Sequence, residues 1–406
     1  MYEASRLICR DGGWQGGRVA GEGRRVLVQR ASSWHEFHNA ARFSLPALLI
    51  ESPMTDRPSS NVSVTRSLAL IALVVAVVVL AFAYTAGWLS PDRLTPAKIV
   101  NGLAPPGGPA LGFRRNHAKG VCFTGTFESN GGAAALSKAQ MFAPGSYPVT
   151  GRFNLATPDA KATDATVRVR GLSLRVVTQD GNEWRSAMID APFFPVATPQ
   201  GFYALLQASA RTDDPDAMKN FIAAHPEFAR FGAWATSAPW TASYAQERYN
   251  SLNSFIFTNA EGQDQVVRWS FVPEAKPEPV SPDDLKQRSP DFLASDITQR
   301  VSSAPQRWTM IVTVANPGDP TADPSKAWPD DRRKVEAGTL VVNAIEPEAN
   351  GPCRDLNFDP TVLPSGIRVS DDPFPAARSA AYSVSFNRRT AEDKDYPHTP
   401  TAGVKP

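Results

Sequence analysis

The pattern of apolar and polar positions separates one long apolar run from a mixed remainder. Residues 67–90 carry no charge and contain a continuous apolar block, Leu68–Leu80. A helix of about 20 apolar residues crosses the hydrocarbon core of a bilayer, so we predict one transmembrane helix over 67–89. Trp88 suits the membrane interface. Two interpretations remain open, an uncleaved anchor and a signal peptide cleaved near Ala81–Ala83, and both export the C-terminal part.

Residues 1–66 are rich in Arg, Ser and Gly and show no sustained apolar period. They predict a disordered or non-native extension, and Met54 is an alternative start. Six arginines between Arg6 and Arg30 favour a cytoplasmic location for this side of the helix. The sequence therefore predicts a single-pass membrane protein whose main body lies on the periplasmic or extracytoplasmic side.

Beyond a Pro/Gly-rich linker at 90–111, one body is predicted over 112–390, followed by a tail at 391–406. Two segments show helical period, 198–210 and 216–225, and the first begins with Thr198-Pro199, a cap followed by proline. Alternation of period two predicts the strands. These are Val121–Phe127, Tyr147–Leu155, Thr166–Val177, Ser186–Ile189, Ser254–Phe257, Val266–Phe271, Trp308–Val314 and Gly338–Ala344. The predicted class is α+β, an antiparallel sheet or barrel with flanking helices.

Charge and cysteine content argue against a nucleic-acid partner and a zinc site. The formal net charge is +2, so the chain lacks the basic footprint of a nucleic-acid-binding protein. Its three cysteines, Cys9, Cys122 and Cys353, are too few and too scattered for a zinc site. An oxidising compartment would allow a Cys122–Cys353 bridge, although the sequence does not give its geometry.

Among the five histidines, His117 is the candidate for chemistry. His35 and His38 precede the apolar run, His398 lies in the tail, and His225 precedes Pro226 at a predicted helix end. His117 stands near two cations, Arg114 and Lys119, which favour the neutral imidazole that a general base needs. The sequence contains no G-x-S-x-G, H-E-x-x-H or C-x-x-C and no phosphate-binding glycine loop, which disfavours hydrolase, metalloprotease and nucleotide-enzyme functions.

The stretch Arg114-Arg115-Asn116-His117-Ala118-Lys119-Gly120 resembles the distal haem motif of catalases. Further matches follow in the same order. They are Gly151-Arg152-Phe153-Asn154, Thr166–Gly171 through Asp180-Gly181-Asn182, Lys326–Pro329, Asn357–Ile367 and Ala377–Tyr382 with its Arg-x-x-x-Tyr. The short body is most similar to the catalase-related peroxidases. This resemblance implies a catalase-like antiparallel β-barrel core with flanking helices and haem b as cofactor. With the apolar run, the predicted architecture is this domain preceded by one transmembrane helix.

The resemblance also implies roles for individual residues. Tyr382 would bind the haem iron, supported by Arg378 one helical turn earlier. His117 would act as the peroxide's general base, oriented by Asn154, which stands where the family usually has a serine. The remaining implied haem contacts are Arg114, Arg152 and Arg389 to the propionates and Phe194 and Phe202 at the distal face.

One position departs from the family pattern. Ile189 falls where catalases carry a distal asparagine, and Asp190 follows it. We therefore expect a peroxidase that reduces hydrogen peroxide or organic peroxides with an organic donor and has weak catalase activity. A strand register shifted by one residue would instead bring Asp190 to that place. The alternatives are a haem isomerase or lyase for fatty-acid hydroperoxides and a non-catalytic, membrane-tethered haem-binding domain. The oligomeric state and the donor stay undefined.

Overall fold

The computed structural model describes residues 64–90, 92–105 and 107–396. The chain divides into two compact units, residues 1–69 and 70–406. Of the first unit only the beginning of helix α1 is described. The predictions of an N-terminal extension and of a start at Met54 lie outside the described residues.

Eight α-helices occur in the described part of the chain. They are α1 (Val64–Thr85), α2 (Pro96–Gly102), α3 (Pro199–Ala210), α4 (Ala217–Ala224), α5 (Phe228–Ser237), α6 (Pro282–Lys286), α7 (Phe292–Ser303) and α8 (Phe374–Ala391). By length and composition α1 could cross a membrane. The helix predicted at 198–210 is confirmed as α3, which Thr198 caps by accepting a hydrogen bond from the Gly201 amide at 3.1 Å.

Ten antiparallel strands form the sheet. They are β1 (Gly120–Ser129), β2 (Gly145–Leu155), β3 (Arg170–Val177), β4 (Glu183–Ile189), β5 (Tyr249–Asn250), β6 (Phe255–Thr258), β7 (Asp264–Pro273), β8 (Gln306–Val314), β9 (Lys334–Pro347) and β10 (Ile367–Val369). Eight of them close a barrel in the order β1-β2-β3-β4-β5-β7-β8-β9, and β9 returns to β1. β6 and β10 extend the sheet from β7. The predicted antiparallel barrel with flanking helices is confirmed.

Alternation along the strands separates the two faces of the barrel wall. Phe153 and Leu155 of β2 and Leu172 and Leu174 of β3 point into the barrel, where they belong to one large apolar core. Because successive side chains of a strand point to opposite faces, Asn154 and its neighbours in the same row point outward. The functional site is built on this outer face.

The segment predicted as a linker, 90–111, contains α2. Thr95 caps this helix by accepting a hydrogen bond from the Lys98 amide, and Pro96 occupies its first turn, a position where proline removes no needed donor. Ile99 and Val100 are buried against Ala381 of α8. The linker prediction missed this helix because seven residues show too little period to stand out among prolines.

The C-terminal part of the body is helical. Residues 377–389, a segment too short to classify by period, belong to α8, which runs over Phe374–Ala391. The tail predicted from 391 begins with a further short helical turn, and Tyr396 is buried. His398 lies outside the described residues. The Cys122–Cys353 bridge is formed, with 5.4 Å between the two Cα atoms.

Candidate active site

A cavity of about 600 Å³ lies between the outer face of β1–β4 and helix α8, and α2 and α3 contribute to its walls. This volume is in the range of small-molecule and cofactor sites. Each residue that the sequence singled out for the site lines it: Arg114, His117, Arg152, Asn154, Phe194, Phe202, Arg378, Tyr382 and Arg389. Residues from both ends of the body thus meet in one place.

One row of the barrel wall sets the side of the cavity that holds His117. In the strand register Asn154 of β2 pairs with Gly171 of β3, which pairs with Ile189 of β4. Residues in one row share a face of the sheet, so Asn154 and Ile189 both line the cavity. A Cβ at position 171 would lie 2.2 Å from Oδ1 of Asn154. Gly171 therefore leaves the space that the Asn154 amide occupies.

His117 is held from two directions. Its Nδ1 lies 2.6 Å from Oδ1 of Asn154, and its carbonyl accepts a hydrogen bond from Arg152 at 2.8 Å. Nδ2 of Asn154 donates to the Arg152 carbonyl, so Oδ1 is the acceptor that faces the ring. Nδ1 of His117 therefore carries the proton, and Nε2 carries the lone pair.

The backbone at His117 is unusual. Its φ is +55°, a conformation that residues other than glycine seldom adopt and that often occurs at functional sites. The amide of His117 is bound by the side chain of the preceding Asn116 at 2.9 Å. This local contact helps to hold the turn that directs the ring into the cavity.

The electrostatics of the cavity keep His117 neutral. The pKa of His117 is lowered to about 4, chiefly by burial and also by the nearby cations of Arg152, Arg378 and Arg114, while the hydrogen bond between the ring and Oδ1 of Asn154 opposes the shift. The expected contribution of Arg114 is thus present. Lys119, expected to act on the same ring, instead binds Asp164 and Asp291 at 2.6 and 2.7 Å.

Tyr382 occupies the opposite side of the cavity on α8. Arg378, four residues earlier on the same helix face, donates from Nη2 to the phenolic oxygen at 2.9 Å. Arg378 itself is fixed by Oδ1 of Asn253 at 2.7 Å and by the carbonyl of Ala187 at 2.9 Å. Asn253 in turn donates to the buried Asp372 at 2.9 Å. A chain of hydrogen bonds therefore orients the guanidinium toward the phenol.

Three arginines gather at another edge of the cavity. Arg114 and Arg152 both bind Glu348, the latter at 2.6 Å, while Arg389 donates to the carbonyl of Arg354 at 2.6 Å. Burial lowers the pKa of Arg114, and the positive charges of Arg152 and Arg389 act in the same direction. Nε of Arg152 is buried and has no hydrogen-bond partner among the described residues. The cluster is therefore suited to further anionic groups.

Aromatic and apolar residues form the rest of the wall. The rings of Phe194 and Phe202 lie 5.5 Å apart, and Phe194 also contacts Phe374 at the start of α8 with 4.8 Å between centroids. Phe202 packs against the cluster formed by Ile99 and Val100 of α2. These contacts give the cavity broad apolar surfaces beside its charged edge.

Ile189, and not Asp190, faces the cavity from the end of β4. Ile189 lines the cavity, whereas the Asp190 carboxylate binds Arg168 at 3.0 Å and the Arg170 amide at 3.0 Å. Burial and the nearby Glu247 raise the pKa of Asp190. Asp190 is therefore occupied by its own partners outside the row of Asn154 and Ile189.

Sequence reasoning missed Glu348, Asn253 and Asp372. Asp372 and Pro373 do precede α8, and Asp372 accepts a hydrogen bond from the Phe374 amide at 2.9 Å, which is a typical helix-start signal. Glu348 begins a single short helical turn and Asn253 stands in an irregular segment, and no local sequence pattern marks either residue. Their partners are distant along the chain, as the separation of 196 positions between Arg152 and Glu348 illustrates.

Comparison with known proteins agrees with this geometry. The family model described as Catalase matches residues 111–397. The chain is 33% identical to a catalase-related peroxidase of Synechococcus elongatus, over 80% of this chain and 96% of the relative. It is 32% identical to a catalase-related peroxidase of Mycolicibacterium paratuberculosis, over 74% of this chain and 96% of the relative.

A solved structure, catalase A from Saccharomyces cerevisiae, has a similar fold with a TM-score of 0.61 and 20% identity, covering 68% of this chain and 61% of that chain. This likeness concerns the barrel and its helices. The predicted catalase-like fold is thereby confirmed. The family model matches most of the described body, and the relatives of 32–33% identity are catalase-related peroxidases. This chain therefore belongs to the catalase family and is an oxidoreductase of the catalase-related peroxidase type.

Proposed function

We propose that this protein is a membrane-anchored haem b peroxidase that reduces hydrogen peroxide or organic hydroperoxides with an external organic donor and has weak catalase activity. The observation that carries the proposal is the pairing of His117 and Tyr382 in one cavity, the first neutral and oriented, the second hydrogen-bonded to a guanidinium. A catalase-type haem function follows from the family. The donor, the type of haem and the weak catalase activity are specific to this proposal.

The cavity fits a haem in three respects. Three arginines cluster at one edge: Arg114 and Arg152 bind Glu348, and Arg389 binds the Arg354 carbonyl. Nε of Arg152 is buried without a partner among the described residues, so the cluster suits the propionates of the cofactor through charge-assisted hydrogen bonds. Phe194 and Phe202 offer apolar surface to a flat ring. Tyr382 offers a phenolic oxygen, which is one of the protein ligands that haem iron takes.

Tyr382 would be the metal ligand, and Arg378 would stabilise negative charge on its oxygen. The hydrogen bond of 2.9 Å between them becomes charge-assisted on both sides when the tyrosine is ionised. Asn253 and the Ala187 carbonyl keep the guanidinium in place. When bound, haem supplies the iron centre that accepts the oxidising equivalents of the peroxide.

His117 would move the proton. Its Nε2 lone pair takes the proton from one peroxide oxygen and then delivers it to the other oxygen as the O–O bond breaks, so that water or an alcohol leaves. Asn154 holds the ring in the required tautomer through the contact at Nδ1. The low pKa of His117, about 4, keeps the base available at neutral pH.

Ile189 supports the assignment as a peroxidase. It stands in the row of Asn154 on the cavity wall, and its side chain offers no hydrogen bond to a second peroxide molecule. Asp190 is engaged with Arg168 and does not replace the missing amide. The oxidation of a second peroxide would therefore be slow, and organic donors would return the enzyme to its resting state.

Membrane attachment through residues 67–89 is part of the proposal. Helix α1 has the length and composition of a membrane span, and its large apolar side chains, such as Leu73 and Val78, are exposed. The Cys122–Cys353 disulfide is typical of an oxidising compartment. Both features support a haem domain on the extracytoplasmic side.

The test uses the full-length protein purified in detergent. An absorption spectrum before and after haem addition measures binding, and oxygen evolution is then compared with the oxidation of a dye donor after addition of peroxide. We expect haem binding, fast dye oxidation and slow oxygen evolution. A protein that fails to bind haem would overturn the proposal. Rapid oxygen evolution without a donor would show that the prediction of weak catalase activity is wrong.

Leu103 of the segment after α2 and Leu205 and Leu206 of α3 also line the cavity. Such apolar lining favours, as a second candidate, an isomerase or lyase that acts on fatty-acid hydroperoxides. This candidate predicts consumption of a fatty-acid hydroperoxide in the absence of any donor, with rearranged products. A peroxidase would instead take two electrons from the donor for each hydroperoxide that it reduces to the alcohol.

A further inference from the structure

We propose that the Cys122–Cys353 disulfide positions the arginines for the haem carboxylates by fixing residues 348–358, here called the strap, to the barrel. The inference rests on the proposed haem function, since it concerns how the protein prepares its own side chains for that cofactor. It assigns a role to a bridge that touches neither His117 nor Tyr382.

The strap holds two of the three arginines through its backbone. Nη2 of Arg114 donates to the carbonyls of Cys353, Arg354 and Leu356 at 2.9, 3.2 and 3.0 Å. Arg389 donates to the same Arg354 and Leu356 carbonyls at 2.6 and 3.4 Å. The two guanidinium groups therefore depend on one short run of carbonyls, and the position of that run determines theirs.

The barrel holds the third arginine. Cys122 of β1 stands opposite Arg152 of β2 in the strand register, and β1 is paired on its other side with β9. The bridge thus joins the strap to the barrel at the row that carries Arg152. It fixes the spacing between Arg152 and the pair formed by Arg114 and Arg389.

Besides the bridge, the strap is held by Arg185, which donates to the Asn357 carbonyl at 2.8 Å, and by the packing of Leu356 and Phe358 beside the two cysteines. Its regular structure is one short helical turn, Glu348–Asn350. The ion pairs of Arg354 are made with the largely exposed Asp355 and Asp393, and exposed pairs of this kind contribute little stability. Glu348 ties the first residue of the strap to Arg114 and Arg152. The disulfide, five residues further on, fixes the part that carries the carbonyls.

The bridge keeps three positively charged arginines close together although they repel one another. Before a dianionic cofactor binds, Arg114 and Arg152 share Glu348, while Arg389 lies 3.6 Å from the largely exposed Asp355. Burial lowers the pKa values of Arg114 and Arg389, and the positive charge of Arg152 acts in the same direction on both. A loosely held strap would move outward and separate the cations. A strap that is already fixed avoids the ordering cost on binding, which is the general advantage of preorganisation.

The bridge acts as a permanent tie. Cys122 and Cys353 are fully buried, and Phe358 packs beside them. A thiol reductant needs access to a sulfur atom, and this position denies it in the folded protein. Substitution, in preference to reduction, is therefore the suitable test.

The experiment compares the full-length protein with a Cys122→Ala/Cys353→Ala variant, both prepared without haem in detergent. Haem affinity is measured by absorbance titration, and stability of the haem-free protein by urea unfolding. A matched control is Val176→Ala, which removes buried volume inside the barrel, away from the strap. We expect the double variant to lose roughly tenfold or more in haem affinity, the range found when supports of cofactor-binding groups are removed, and the control to keep its affinity.

Two further measurements separate positioning from general loss of stability. Hydrogen exchange of the haem-free double variant should accelerate at residues 351–357 and not in β3. In an Arg114→Met background, removal of the bridge should cost clearly less affinity than in the native protein, because one of the groups it positions is gone. Equal costs in the two backgrounds, or affinity losses that match the control, would overturn the inference.

A second variant covers the case in which the double variant does not fold. At Gly351 a Cβ would lie 2.6 Å from Sγ of Cys122 and 2.7 Å from the Pro347 carbonyl, so Gly351→Ala displaces the strap with the bridge intact and should also weaken haem binding. Unchanged affinity in this variant would contradict the inference. Native protein that binds no haem would remove the proposed function itself, whereas tight native binding with unaffected variants would remove only the role of the bridge.

Discussion

Asn154 and Gly171 face each other across the β2–β3 ladder, and the missing side chain of Gly171 is what gives the Asn154 amide its place. A Cβ at 171 would be 2.2 Å from Oδ1 and 3.0 Å from Cγ of Asn154. That same Oδ1 lies 2.6 Å from Nδ1 of His117. The orientation of the catalytic imidazole thus depends on a residue two strands away from it that has no side chain.

The variant Gly171→Ala tests this dependence. The new methyl group must displace Asn154, so we expect peroxide turnover to fall by roughly tenfold, equivalent to the loss of one hydrogen bond of about 1.4 kcal/mol, while haem binding persists. Stopped-flow mixing with peroxide measures the rate. Gly232→Ala on α5, where the nearest atom would be 3.8 Å away, is the control. Equal rates in both variants would show that Asn154 does not orient His117.

His117→Ala removes the proposed base itself. We expect the haem spectrum to remain and the reaction with hydrogen peroxide to slow by roughly 10²-fold or more, the typical contribution of general acid–base catalysis. His225→Ala serves as the control, because His225 binds Glu227 at 3.2 Å at the end of α4 and does not line the cavity. Unchanged turnover in His117→Ala would remove this residue from the mechanism.

The pH dependence follows from the same residue. Burial lowers the pKa of His117 from about 6.5 to about 4, so peroxide turnover should stay level above about pH 5 and fall as the pH approaches about 4. The stability effect has the same sign. Because the folded pKa is depressed, the unfolded chain binds the proton more tightly, and stability is lost as the pH falls from about 6.5 to about 4.

Asn154→Asp provides a second arm for this pH experiment. A carboxylate beside Nδ1 favours the imidazolium, so the acid limb of the pH–rate profile should move to higher pH. Asn154→Ala offers a comparison without the new charge. If the aspartate variant keeps the native profile, the acid limb does not report on His117.

Ile189→Asn restores an amide on the cavity wall. We expect oxygen evolution from hydrogen peroxide to rise by about fivefold, the value of one ordinary hydrogen bond, with dye oxidation little changed. An oxygen electrode measures the first and absorbance the second. Ile189→Val, which keeps the apolar character, should leave the ratio as it is. An asparagine variant with unaltered oxygen evolution would mean that position 189 does not limit catalase activity.

Arg378→Leu removes the donor to Tyr382. The phenolic oxygen loses a charge-assisted hydrogen bond worth about 1.5–3 kcal/mol, so we expect roughly tenfold or greater loss in haem affinity or peroxide turnover and an altered visible spectrum. Ser383→Ala, on the exposed side of the same helix, is the matched control. A native spectrum in Arg378→Leu would show that the guanidinium does not support the metal ligand.

The sequence predicted the barrel strands and the two ends of the site because both depend on local order. Period-two alternation marks β1–β4, and the four-residue spacing of Arg378 and Tyr382 is a property of one helix. Short β5 and β10 and helices α5, α6 and α7 were not predicted from the sequence.

Other parts of the site required three-dimensional contacts. The positive φ of His117 has no signal in the residues around it, because residues other than glycine seldom adopt that conformation. Glu348 looks like any other glutamate until Arg114 and Arg152 are found beside it. Lys119 illustrates the reverse. Its nearness to His117 in the sequence predicted an effect on the charge of the imidazole, but its ammonium group is paired with Asp164 and Asp291.

Helix α2 has a practical consequence for preparing the haem domain in isolation. The family match begins at residue 111, which would be a natural point at which to truncate the gene. Ile99, Val100 and Leu103, however, line the cavity, and the first two are buried. A fragment that starts at 111 would leave one wall of the cavity exposed to water, so a soluble version should begin ahead of the Thr95 cap. The boundary of the sequence family and the boundary of the working enzyme do not coincide.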